Sequence, residues 1–205
     1  MTKCSAIGFV AAVLLALTAG CNQADKTVTL TYPPSDAEFT VAVTVDRFEE
    51  DLPDSDRTIY IQDFDDQRSS GAVGEIKNGL GGQNARVWAD NSVSEWIQGA
   101  VESELSKAGF IIQRFDPEIT SPDMMILTGE ILKVSASGPA PFEASVALRI
   151  KLEKGDRELL VSEYTGKGSL PSFRVLSANF NKTLGKALNE AAVSVARDVE
   201  CVSGY

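Results

Sequence analysis

Residues 143–153, EASVALRIKLE, decide the architecture. Ala144, Val146, Leu148, Ile150 and Leu152 alternate with Glu143, Ser145, Ala147, Arg149, Lys151 and Glu153. A period of two puts one side of a strand against a core and the other in water. Toward the C-terminus, Gly155-Asp156 closes a hairpin onto a second strand over 158–169. Toward the N-terminus, Gly138-Pro139-Ala140-Pro141 turns back to a strand over 124–136. There Met125, Leu127 and Ile131 share one side, and Ile126, Leu132 and Val134 the other.

Two helices flank this meander. Val93, Trp96, Ile97, Ala100, Val101, Leu105 and Ala108 recur at helical spacing and form one apolar face. Ser92 and Glu95 make a capping box, Gly109 is placed to end the helix, and residues 110–115 resume as a strand. A second helix over 177–199 carries Phe180, Leu184, Ala187, Leu188, Ala191, Val195 and Val199 on one stripe. Two amphipathic helices and a meander with one apolar face predict an α+β two-layer sandwich: a mainly antiparallel sheet with both helices on one side.

The N-terminal half is less regular. Val28, Leu30 and Tyr32 alternate with threonines and suit an edge strand that Pro33-Pro34 ends. Residues 39–48 alternate through Val41, Val43 and Val45. Residues 58–64 place Ile59, Ile61 and Asp63 opposite Tyr60, Gln62 and Phe64. Residues 69–86 are glycine-rich without a period and read as a long loop, a kind of segment that often carries function. Asn78-Gly79-Leu80-Gly81-Gly82 resembles a phosphate cradle only superficially, because no helix opens after it and no GK[ST] follows.

The first twenty residues read as an address. Lys3 precedes an apolar run, AIGFVAAVLLAL over 6–17, which is too short for the roughly 20 residues of a membrane-spanning helix. The following Leu17-Thr18-Ala19-Gly20-Cys21 is similar to a bacterial lipobox, in which cleavage precedes a cysteine alkylated by diacylglycerol. That likeness implies a signal peptide over 1–20, a palmitate-bearing anchor on Cys21, a tether with edge strand over 21–38, and one domain over 39–205. Asn22, rather than aspartate, implies the outer membrane facing the periplasm. Cys4 leaves with the signal, so Cys201 is the remaining thiol; it suits a small apolar residue near a helix end or an intermolecular disulfide.

Composition excludes several functions. The 205 residues include no histidine, which removes Ser-His-Asp and Cys-His catalysis and His-ligated zinc. A net charge of -10 argues against nucleic acid. Most of it lies in residues 36–66, where eleven acids face Arg47 and Arg57. The run lacks the ordered spacing and glycine of an EF-hand and reads as a solvated, charged connection.

Several stretches together resemble the YajG-like family of bacterial lipoproteins: Val28-Thr29-Leu30-Thr31-Tyr32-Pro33, the strand end Ile61-Gln62-Asp63-Phe64-Asp65-Asp66-Gln67-Arg68, Ser94-Glu95-Trp96-Ile97, and Glu104-Leu105-Ser106-Lys107-Ala108-Gly109-Phe110. The likeness covers most of the chain after Cys21, although 39–55 is longer than such proteins usually carry. It implies fold and location rather than an activity. The expected role is a non-enzymatic binding or accessory subunit of an envelope assembly or transport system. It would have no cofactor, no metal and no nucleic acid, and its partners would be the membrane and another envelope protein. Candidate contacts are Asp63, Asp65, Arg68, Gly71, Gly74, Asn78, Gly79, Gly81, Gly82 and Trp88; Asp63 and Arg68 also suit a local ion pair. Trp88 is expected exposed and Trp96 in the core. The competing class is a histidine-free hydrolase using Asp63, Asp65 and Asp66.

Overall fold

The computed structural model describes residues 24–32, 57–77, 82–119, 121–138, 141–172 and 177–204. The signal, Cys21, the strand expected over 39–48, most of the acidic run, Asn78, Gly79 and Gly81 lie outside them.

The C-terminal half follows the sequence. Strands β7 (Met125–Gly138), β8 (Phe142–Lys154) and β9 (Arg157–Leu170) form an antiparallel meander. Helix α2 (Ser177–Ser203) lies along β8 and β9, and runs four residues beyond the expected end. The contact is close. A Cβ on Gly166 would be driven into the carbonyl oxygen of Ala187, and one on Gly168 into that of Thr183. Tyr164 of β9 donates its hydroxyl to Asp198 Oδ2 at 3.0 Å. Phe142 and Phe180 meet edge to face, with ring centroids 5.0 Å apart. The positive φ of Gly155, 58°, makes the tight β8–β9 turn.

Helix α1 (Val93–Lys107) packs against α2 on the same side of the sheet. Its N-terminus is capped as expected, with Ser92 accepting from the Glu95 N–H, and Gly109 leaves it at φ 93°. Val93, Trp96, Ile97, Ala100, Val101 and Leu105 are all buried. Among the described residues, no helix is long and apolar enough to cross a membrane.

The other edge of β7 is covered differently. Strands β2 (Thr58–Ile61), β3 (Asp65–Asp66) and β4 (Ala72–Lys77) follow one another along it, all parallel to it. They amount to one interrupted strand. β6 (Ile111–Arg114) extends the sheet beyond β2 in parallel. β5 (Gln83–Ala89) extends it antiparallel to β4, with β1 (Lys26–Val28) parallel at that margin. The sheet is therefore mixed, with its longest pairings antiparallel.

Three expectations change. Residues 69–86 are not a loop: they hold the β4–β5 pair. Register shifts between Ala72 and Gly74 and between Ile76 and Lys77 break the period, so buried Val73 and Ile76 stand three apart. The strand over 58–64 stops at Ile61; beyond it Phe64 is buried while Asp63 is exposed, because the ring of Phe64 covers Gly129. On β7, a register shift between Ile131 and Lys133 turns Val134 to the core side, with Met125, Leu127 and Ile131.

Candidate functional site

The sheet face turned away from the helices holds an open cleft of about 1040 Å³ over β4, β7, β8 and β9. Its position follows from the interrupted strand. Pairing along that edge of β7 runs Asp66–Ile131, then resumes at Gly74–Ala136. Between them no strand pairs with Leu132 to Ser135 on that side. Residues Arg68 to Ser70 swing away there and wall the cleft. The register shift on β7 falls at the same level, so Lys133 and Ser135 point outward while Val134 goes to the core.

Arg68 is the most constrained group in the cleft. Its side chain is only 7% exposed. Nε and Nη2 donate to the two carboxylate oxygens of Asp66, each at 2.7 Å. The Arg68 backbone N–H donates to the same carboxylate at 3.2 Å. These bonds, the side-chain pair foremost, hold the Asp66 carboxyl below its ordinary range. The third nitrogen, Nη1, is covered and has no hydrogen-bond partner among the described residues.

The rest of the lining is serine and cation. Ser135, Ser137, Ser145 and Ser169 offer hydroxyls, and Lys77, Arg86, Lys133 and Lys167 bring charge. Lys77 pairs with Glu75 at 3.0 Å. Lys133 and Lys167 form no ion pair among the described residues. On a chain of net charge -10, this is a locally cationic cleft.

The sequence-named residues divide. Arg68 and Gly74 line the cleft; Asp63, Asp65, Gly71, Gly82 and Trp88 do not. Asp63 is 87% exposed and pairs with Arg114, not Arg68. Asp65 accepts from the Gln67 side chain. A Cβ on Gly71 would press on the Trp88 ring, and one on Gly74 would stand 2.8 Å from the Ala136 carbonyl oxygen. Trp88 is half-buried rather than exposed, whereas Trp96 is buried as expected. The aspartates invoked for hydrolysis are thus engaged, each by a different partner. Asp66 is shifted away from the raised pKa that a general acid needs. Among the described residues no three Asp, Glu or Cys side chains are grouped to hold a metal. Cys201 is exposed on α2 rather than packed.

A second polar constellation fastens the N-terminal segment. Asp25 accepts from the Arg86 N–H at 2.9 Å and from Trp88 Nε1 at 3.1 Å; the backbone bond first, then the indole, lowers its pKa. Thr29 donates to Asp90, Leu30 exchanges two bonds with the Asn91 side chain, and Thr31 two with Asn181. The Tyr32 hydroxyl lies 2.5 Å from Glu104 Oε1 and 2.9 Å from the Asn189 amide, with Lys107 Nζ 2.6 Å from the same Glu104 oxygen. A phenol has one proton to donate and the carboxylate takes it, so Asn189 must offer its NH₂. Burial foremost, then that carboxylate, pushes the Tyr32 pKa well up.

No protein-family model matches the chain, and no curated protein matches it significantly. Solved structures do. Protein XCC0632 from Xanthomonas campestris, of the DUF330 family, is similar at TM-score 0.52 with 12% identity, over 72% of this chain and 85% of its own. An uncharacterised protein of known structure is similar at TM-score 0.50 with 8% identity, over 86% of this chain and 99% of its own. What is shared is the fold. A minor lipoprotein from Acinetobacter baumannii matches at TM-score 0.42 with 8% identity, over 71% of this chain and 93% of its own.

Proposed function

We propose that the chain is an envelope lipoprotein, anchored by acylation of Cys21 and working as a non-enzymatic binding or accessory subunit. The YajG-like proteins that it resembles suggest the outer membrane, facing the periplasm, as its place. The observation that carries the reading is the fastening of residues 25–32. Each of Asp25, Thr29, Leu30, Thr31 and Tyr32 is bonded by side chains or backbone to β5, to the Asp90–Asn91 turn or to the helices. A segment serving only as a flexible linker would not need such bonds, whose ordering costs about 1–2 kcal/mol per residue in backbone entropy. A segment that transmits a membrane anchor to the domain would. The Leu17-Thr18-Ala19-Gly20-Cys21 motif supplies the anchor chemistry, and two or more acyl chains make the attachment stable.

Labelling cells with radioactive palmitate tests the anchor. The wild-type chain is expected to take up label and fractionate with outer membranes, and Cys21→Ser to lose both. Label retained by Cys21→Ser would overturn the reading. In-cell cross-linking of the lipidated protein tests the accessory role, with a reproducible envelope partner as the expected result. Recovery of nothing beyond abundant background lipoproteins counts against it.

A further inference from the structure

We propose that the gap between β3 and β4 is a binding site for the phosphate group of a small molecule or lipid headgroup, received by Arg68, Lys133 and Lys167. The inference does not depend on the lipid anchor or on the identity of a protein partner.

Three independent observations converge on it. The first is Arg68. A guanidinium buried to 7% exposure with one nitrogen unpaired is costly, since a covered charged N–H without an acceptor loses its hydration for nothing. Asp66 holds the other two nitrogens in a planar fork, so the guanidinium is already oriented and offers its remaining N–H groups to an oxyanion. The second is the backbone. The strand interruption leaves residues 132–135 of β7 without a paired strand on one side, directly beside Arg68, where the register shift turns Lys133 outward. The third is the charge balance. Lys133 and Lys167 are unpaired among the described residues and share this cleft, on an otherwise acidic chain.

Phosphate suits this donor set better than carboxylate. It presents three or four acceptor oxygens and up to two charges, matching a guanidinium, two ammonium groups and nearby serine hydroxyls such as Ser135 and Ser145. The cleft is far larger than phosphate alone, and 1040 Å³ has room for the organic part of a phosphate ester.

Equilibrium dialysis of the purified full-length protein in maltoside micelles against radiolabelled inorganic phosphate tests the site. Saturable binding of about one phosphate per chain is expected. It should weaken at least tenfold in Arg68→Gln and in Lys133→Gln. It should be unchanged in Arg157→Gln, which removes a cation at the far end of the β8–β9 hairpin. Lys133→Gln alters an exposed side chain and should keep the wild-type circular dichroism, so the test survives if Arg68→Gln fails to fold. Phosphatidylglycerol added to the micelles separates the sources: displacement of phosphate identifies a lipid headgroup, and no displacement a soluble phosphate. The proposal is overturned if neither phosphate nor phosphatidylglycerol binds saturably. It is also overturned if folded Lys133→Gln binds like wild type, or if Arg157→Gln weakens binding equally.

Discussion

The two faces of the sheet are built from the same strands to opposite rules. On the helix face Val146, Leu148, Ile150 and Leu152 are fully buried, and β9 gives up side chains altogether at Gly166 and Gly168 so that α2 can lie on its backbone. On the open face Arg149 bridges Glu130 and Glu163, Lys151 pairs with Glu153, and the cleft carries serines and lysines. One face is specified by volume, to within a methyl group. The other is specified by charge and tolerates substitution. Stability and binding should therefore separate by face.

The largest effect expected is on the helix face. Gly166→Ala forces a Cβ against the Ala187 carbonyl and the Ala191 N–H, with no flexible side chain to yield. Overpacking of this kind costs about 1–3 kcal/mol and more where backbone must move. The upper end is expected, read as a fall in the urea midpoint; a variant as stable as wild type would break the distinction between faces. Next comes Tyr32→Phe, which removes the proton that the half-buried phenol gives to Glu104. About 1–2 kcal/mol should be lost, and proteolysis should clip the N-terminal segment before the domain unfolds.

Two pH effects sharpen the same contrast. The Tyr32 and Tyr164 pKa values are raised, by burial first and then by Glu104 and Asp198. Their contribution is complete below the ordinary tyrosine value of 10.0 and is lost as pH climbs through the raised values. Absorbance titration should show these two phenols ionising late, together with alkaline unfolding. The Asp66 pKa is lowered, chiefly by the Arg68 side chain. Its contribution is complete above the ordinary aspartate value of 3.8 and is lost as pH falls through the lowered one. The pair is partly exposed, so a small destabilisation in acid is expected, absent in Asp66→Asn. The smallest effect belongs to Arg149→Ala. Exposed ion pairs contribute little, and a thermal midpoint within error of wild type is the expected result.

The helix face was legible in the sequence because a packed face forces periodicity. The alternation from Ala144 to Leu152 and the stripe from Phe180 to Val199 place the meander and α2 without other information. The β4–β5 pair was not legible. Glycine at 71, 74, 79, 81 and 82 lowers strand propensity, and two register shifts scramble the spacing of Val73 and Ile76. The cleft was half legible. Arg68 stood out at a strand end, but Lys133 and Lys167 look like any lysine on a wet strand face. Only the interrupted pairing along β7 brings them to one place, and that pairing is non-local.

The fastening at Asp25 has a consequence for where such a protein can act. Four Cα–Cα steps separate Cys21 from Asp25, a reach of at most about 14 Å at 3.6 Å per residue. The radius of gyration expected for a domain of this size is about 16 Å. With its acyl chains in the bilayer, the domain is moored on a rope shorter than its own radius, by the corner where β1 meets β5. It would rock rather than roam, sampling a shell of space no deeper than itself and meeting only what passes close to the leaflet that holds it.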